Sequence, residues 1–326
     1  MEILISIDGV LRNTIQKFDY HYNDAYLSSD LEETTFEYGV IEPIQNNNIL
    51  NSYKFQSQEE FEYFTFIETN VRADNEVMVN DIIIAHSPTH IISFIGRTYG
   101  EGFNSIDYLE QKGKLKENIR DNLYAPLVLA NLANKHKIHY TYLGTGCIFS
   151  QENPYDKSYK EEDAPDFFGS SYSTVKGFTD RLMKFYPTTL NLRIRMPIVN
   201  FNHQRNFITK ITNYEKITSV PNSMTILSDF YPIIMDLIKR KETGTLNLTN
   251  PGVISHNEIL EMYKEIVDPS FKWENFTIEE QNNILASERS NNQLDTNKLI
   301  GMYPELRDIK TGIRECLNNM KLIVNN

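Results

Sequence analysis

The run Ile91-Ile-Ser-Phe-Ile95 is apolar apart from one serine, the pattern of a strand buried on both faces. Such a strand belongs inside a parallel sheet with helices packed above and below it. The flanking sequence repeats the alternation that this requires. Residues 82–86 read as a helix end stopped by Pro88, and residues 114–135 as one long helix that contains Asn122. A strand over residues 139–144 ends on Thr145, an amphipathic helix covers 170–186, and a further strand covers 190–195. This order predicts an α/β fold with a doubly wound parallel sheet. Gly96 follows the strand at 91–95, at the edge where open α/β sheets hold their ligands.

After Arg195 the pattern loosens into short strands, such as 245–249, and helices, such as 257–267. The chain has 326 residues, enough for a sheet domain and a smaller C-terminal lobe. The reading divides it into an atypical segment over 1–68, a core that carries the chemistry over 69–195, and a mainly ligand-binding lobe over 196–326. The net charge of −12 argues against a nucleic-acid partner, so an anionic substrate would need a local cluster of Arg and Lys. No run of 18 apolar residues occurs, and the first residues lack a basic stretch, so a soluble, cytoplasmic protein without a membrane partner is expected. Two cysteines, Cys147 and Cys316, make neither a disulfide framework nor a zinc pattern, and no metal site is expected. His136 and His139 straddle a helix end and a strand and read as structural. The polar, acidic stretch 151–168 reads as a loop near the site.

The chemistry concentrates at Tyr172 and Lys176. On a helix these two residues share one face, a turn apart. A neighbouring ammonium favours the ionised phenol, lowering its pKa and making Tyr172 a usable general acid near neutral pH. Thr145, 27 residues earlier at a strand end, can share the same substrate oxygen. A Thr-Tyr-Lys set of this kind protonates or deprotonates an oxygen on a carbon that exchanges hydride with a nicotinamide. The same Tyr-x-x-x-Lys spacing recurs at Tyr108 and Lys112 without a matching Thr, and there it reads as a solvated helix face.

Several segments carry a specific resemblance. They include Gly144-Thr-Gly-Cys-Ile-Phe149, Ser171-Tyr-Ser-Thr-Val-Lys176, Leu192-Arg-Ile-Arg-Met-Pro197, Arg205-Asn-Phe-Ile-Thr-Lys210, Thr249-Asn-Pro-Gly-Val253 and Arg289-Ser-Asn-Asn-Gln-Leu-Asp295. From about residue 70 to 321 the chain resembles the UDP-4-keto-6-deoxyglucose 3,5-epimerase/4-reductases of UDP-L-rhamnose synthesis. These are extended short-chain dehydrogenase/reductases with a Rossmann-like sheet that use NADPH and usually pair as homodimers. The resemblance implies that Thr145, Tyr172 and Lys176 form the reductase triad and that Cys147 and Lys210 form an epimerase acid/base pair. A C4 ketone acidifies the protons on C3 and C5. Epimerisation then needs one group to remove a proton and another to return it on the opposite face, work suited to a thiol and an amine. The resemblance also implies that Arg72, Gly96, Arg97 and Lys176 lie along the cofactor, with Arg72 on a 2′-phosphate. It places Asn206, Arg289 and Asn291 on the UDP-sugar, with Arg289 near the diphosphate.

The first 68 residues depart from that pattern. They hold only Gly9 and Gly39, and no Gly-x-x-Gly-x-x-Gly turn that would let backbone approach a pyrophosphate. The opening, Ile5 to Arg12, weakly resembles the first motif of haloacid-dehalogenase phosphatases, but Ser6 stands where the nucleophilic Asp is needed. The plainer reading is a strand near residues 2–8 followed by a variable insertion. Use of NADPH or NADH is therefore an open question at this stage, with three alternatives: an active epimerase/reductase, an epimerase without reductase activity, or a sugar-nucleotide-binding relative without cofactor. Amides near Asp8 and Gly9 are the candidates for cradling a pyrophosphate in another way.

Overall fold

The computed structural model describes the backbone of residues 2–7, 49–56, 63–69, 71–151 and 155–324, and side chains from Thr69 to Lys321 within those bounds. A seven-stranded sheet runs in the order Gly244–Asn247, Thr189–Ile194, His139–Thr145, His90–Ser93, Glu2–Ile7, Tyr63–Thr69, Ile49–Gln56. Each neighbouring pair is parallel except the last, where Ile49–Gln56 runs antiparallel to Tyr63–Thr69 at the edge. Residues 1–68 thus contribute more than the expected strand and insertion. Glu2–Ile7 forms the strand, but a hairpin beyond it supplies two further strands of the same sheet. Glu2–Ile7 lies between Tyr63–Thr69 and His90–Ser93, so the chain leaves it toward one side and later returns on the other. That is the topological switch point, where a crevice opens beyond the strands' carboxyl ends. Asp8, Gly9, Gly39 and most of the phosphatase-like motif lie outside the described residues.

Alternation along the strands gives the sheet two apolar faces. Tyr140 and Tyr142 point to one face, with Val79, Ile82, Leu129, Leu132 and Met183 from its helices. Ile92, Leu190, Leu192 and Leu246 point to the other, with Phe230, Ile234 and Leu237. A third cluster, including Ile198, Ile208, Ile217, Ile259 and Leu317, is drawn from residues after Arg195. Short parallel ladders pair Pro197–Ile198 with Thr225–Ile226 and Ser158–Tyr159 with Gln293–Leu294. The latter pair interrupts the stretch 151–168 read as loop.

The long helix expected over 114–135 is present and carries a π-helical turn: Leu115–Ile119, Arg120–Tyr124 (the π turn) and Ala125–His136 follow one another without a gap. Pro126 explains the π turn, because it has no N–H to give the carbonyl of Asn122 four residues earlier. The Thr179 hydroxyl donates to that carbonyl instead, at 2.6 Å. His136 and His139 take structural roles, meeting Asn80 Oδ1 at 2.9 Å and the Glu242 carbonyl at 2.7 Å. Among the described residues no helix is long and apolar enough to cross a membrane, and no cluster of side chains could hold a metal.

Candidate active site

Strand His139–Thr145 ends in the turn Thr145-Gly146-Cys147, which requires glycine at its centre. A Cβ on Gly146 would lie 2.8 Å from Leu294 Cδ1 and 2.9 Å from Arg195 Cγ. Behind the turn, buried Arg195 donates to the Gly146 carbonyl at 3.1 Å, to Ser290 Oγ at 2.8 Å and to Asn222 Oδ1 at 2.6 Å. Asn292 donates to the same Gly146 carbonyl at 2.9 Å. The turn is therefore fixed from below, and Thr145 Oγ1 accepts the Cys147 N–H at 3.1 Å.

Helix Ser171–Met183 brings Tyr172 to this turn. Ser170 caps it, accepting the Ser173 N–H at 3.0 Å, and Glu110 accepts the Ser171 N–H at 2.8 Å. Tyr172 is buried with Tyr108 and Leu109, and Cys147 packs against the three. Burial raises the Tyr172 pKa, the proximity of Cys147 adds to the rise, and a hydrogen bond with Thr145 opposes both. This corrects the expectation of a phenol acidified by Lys176. The Lys176 ammonium donates instead to the Tyr142 hydroxyl and to the Leu143 carbonyl, the latter at 3.3 Å. Burial lowers the Lys176 pKa to about 7, against the opposing pull of Asp180 and Cys147.

The second Tyr-x-x-x-Lys pair also differs from expectation. Tyr108 belongs to a 3₁₀ turn, Ile106–Glu110, and is buried. Its hydroxyl donates to Glu117 Oε2 at 2.8 Å, and the Lys114 ammonium lies 4.7 Å from its ring centroid. It forms the wall against which Tyr172 packs, and only Lys112 is solvated.

Cys147 and Tyr172 open onto a cleft of about 960 Å³ that is also lined by Asn104, Asp107, Arg289 and Asn291. Lys210, on helix Phe207–Thr212, reaches this region, with Nζ 3.5 Å from the Asn104 carbonyl. Its pKa is lowered by burial and then by Arg205. Arg289 faces the cleft but is held by Asp107 Oδ2 at 2.6 Å and Ser287 Oγ at 2.8 Å. Asn291 accepts from Asn222 Nδ2 at 2.9 Å. Asn206, expected on the substrate, is buried and used structurally. It donates to the carbonyls of Val199 and Phe201, both at 2.9 Å, and caps its helix by accepting the Ile208 N–H. That leaves its amide no free donor to offer a ligand.

Arg72 and Arg97 meet on one carboxylate. Asp121 accepts from Arg72 at 2.9 Å and from Arg97 at 2.6 Å, and Arg120 joins them at 2.7 Å. Burial raises the Asp121 pKa, but Arg120, Arg97 and Arg72 together outweigh it and hold the group at about 2. Gly96 precedes this cluster, and a Cβ there would touch Asn122 Oδ1 at 3.4 Å. Asn122 holds Arg97 in place by accepting its N–H and donating to its carbonyl, each at 2.9 Å. Arg120, Asp121 and Arg195 were not foreseen. Arg120 and Asp121 lay inside a stretch read as plain helix, and Arg195 read only as a strand end.

A parallel sheet with a switch-point crevice, a Thr-Tyr-Lys set and a cysteine on one cleft wall defines a nucleotide-sugar enzyme of the extended short-chain dehydrogenase/reductase class. No family model matches the chain. It is 43% identical over 245 residues to the Arabidopsis thaliana bifunctional dTDP-4-dehydrorhamnose 3,5-epimerase/dTDP-4-dehydrorhamnose reductase, covering 74% of this chain and 79% of that one. It is 54% identical over 254 residues to the L780 protein of Acanthamoeba polyphaga mimivirus, 77% of this chain and 88% of that one. The crystal structure of the L780 UDP-rhamnose synthase superposes with a TM-score of 0.81 at 44% identity, covering 98% of this chain and 100% of that one. The Bacillus anthracis dTDP-4-dehydrorhamnose reductase, solved in complex with NADP, shares the fold at 14% identity, with a TM-score of 0.67 and 96% and 98% coverage. The chain belongs to the bifunctional 3,5-epimerase/4-reductase family of rhamnose nucleotide synthesis.

Proposed function

We propose that this protein converts UDP-4-keto-6-deoxyglucose to UDP-L-rhamnose by 3,5-epimerisation followed by NADPH-dependent 4-reduction. The observation that carries this reading is the meeting of Cys147 and Tyr172 on one cleft, with Thr145 in the same turn as Cys147. The proposed C4 acid and a candidate epimerase thiol thus face the same space. Tyr172, buried and bonded to Thr145, holds the proton that a C4 oxygen must receive. Cys147 and Lys210 move the protons at C3 and C5. A nicotinamide cofactor, when bound, supplies hydride to C4. The residues present fit that group. Arg72, Arg97 and Arg120 offer three guanidiniums near the switch point, suited to a 2′-phosphate and so to NADPH. Arg289 and Asn291 line the cleft where the diphosphate and sugar would lie.

The test is mass spectrometry of UDP-4-keto-6-deoxyglucose incubated with the protein in D₂O, with and without NADPH. Deuterium should enter C3 and C5 in both cases, and rhamnose should form only with NADPH. Deuterium entry without NADPH oxidation would leave an epimerase alone. Neither event, with UDP still bound, would leave a binding protein.

The working form is a homodimer through the outer faces of helices Leu115–Ile119 and Ser171–Met183. Leu115 and Ile119 on one, and Phe178 and Leu182 on the other, leave apolar surface exposed on two adjacent helices, and Phe185 just beyond is 79% exposed. Contiguous apolar surface of this kind marks an association site. Phe185→Glu should convert the dimer to a monomer in sedimentation velocity. A wild-type protein already monomeric at micromolar concentration would refute the assignment.

A further inference from the structure

Tyr142 is a strand residue, 1% exposed, on the face of the sheet that otherwise packs apolar side chains. A phenylalanine would fill that space equally well. The hydroxyl instead accepts from Lys176 Nζ, and the ammonium also lies 4.4 Å from the centroid of the same ring. One side chain thus gives a single buried cation a hydrogen-bond acceptor, with the ring edge close beside it. The Leu143 carbonyl, at 3.3 Å, is a longer additional contact.

We propose that Tyr142 is a positioning residue, fixing the place and the charge of the buried Lys176 ammonium. The inference rests on the reductase reading above, in which Lys176 belongs to the reductase set. The groups that face Lys176 are few. Its own helix supplies Asp180, the adjoining strand Tyr142 and the turn Cys147, while Tyr140 and Tyr172 lie near Tyr142. Asp180 is already engaged by Arg193, at 2.7 and 2.9 Å, and by Asn191 at 2.7 Å. Asp180 therefore pulls on the ammonium only from a distance, and Tyr142 is the side-chain acceptor that touches it. Removing the acceptor favours the neutral amine. Lys176 then loses its proton at lower pH, and the alkaline limb of the reduction rate follows it downward.

The experiment compares Tyr142→Phe with wild type in two measurements. In the first, kcat for reduction is followed from pH 5 to 9 at saturating NADPH. The midpoint of the falling limb should drop by roughly one to two pH units, with KM for the keto-sugar little changed. In the second, the Lys176 ε-carbon is titrated by NMR in protein labelled with [ε-¹³C]lysine, without substrate or cofactor, and its midpoint should fall by the same interval. A rate that falls with both midpoints unmoved would make Tyr142 mere packing and overturn the proposal. Wild type inactive in reduction would end the functional reading alone, because the lysine titration needs no turnover and still decides the role of Tyr142.

Discussion

Tyr172→Phe should lower the rate of 4-reduction by about 10²–10⁴-fold, the usual effect of losing a positioned general acid. The ring that packs against Tyr108 and Leu109 is retained, so the fold and the cleft persist. What disappears is the hydroxyl beside Thr145 whose proton burial helps to retain. Epimerisation should continue within a few-fold of wild type, since its protons move at C3 and C5. Deuterium incorporation without NADPH, set beside NADPH oxidation, separates the two. Equal losses in both would mean that Tyr172 organises the cleft as a whole and is not the C4 acid.

Cys147→Ser should give the converse result. Deuterium entry at C3 and C5 should fall by about 10²–10⁴-fold. Serine fits the space left by the thiol, and the backbone N–H that bonds Thr145 Oγ1 at 3.1 Å is untouched. A serine hydroxyl is a far weaker acid than a thiol and does not furnish an anionic base near neutral pH. Reduction of a keto-sugar supplied already epimerised should persist. Unchanged deuterium entry in the serine variant would move the epimerase role away from Cys147.

Much of the central frame was legible because short-range pattern governs it. The apolar run at Ile91 and the strand ending on Thr145 gave their own positions within a residue or two. Ser170 starts the Tyr172 helix as a serine cap should. Readings that failed depended on which groups a side chain meets once the chain is folded. Lys176 sits one turn from Tyr172, but Tyr142, 34 residues back, takes its ammonium. Tyr108 looked solvated because Glu117 and Lys114, which cover its hydroxyl and ring, are neighbours only after folding. Asn206 lies in a motif that suggested substrate contact, yet local carbonyls use up its amide. The antiparallel hairpin of Ile49–Gln56 and Tyr63–Thr69 was hidden because an Asn- and Tyr-rich segment offered no clean period.

The clamp beneath the Thr145-Gly146-Cys147 turn also dictates when the enzyme can first work during its own synthesis. Asn292 grips the Gly146 carbonyl from 146 positions downstream, and Ser290 braces Arg195 from 95. Chains emerge from the ribosome N-terminus first, at about 5–20 residues per second, and domains fold as they emerge. The last strand of the sheet ends at Asn247, so the sheet can assemble while the residues after it are still being made, but the turn that carries Thr145 and Cys147 lacks its underpinning until residues 290–292 are free. A nascent chain that stops short of these residues is therefore a scaffold with its Thr145-Gly146-Cys147 turn unset, and on the proposed reading both chemistries switch on together once residues 290–292 are in place.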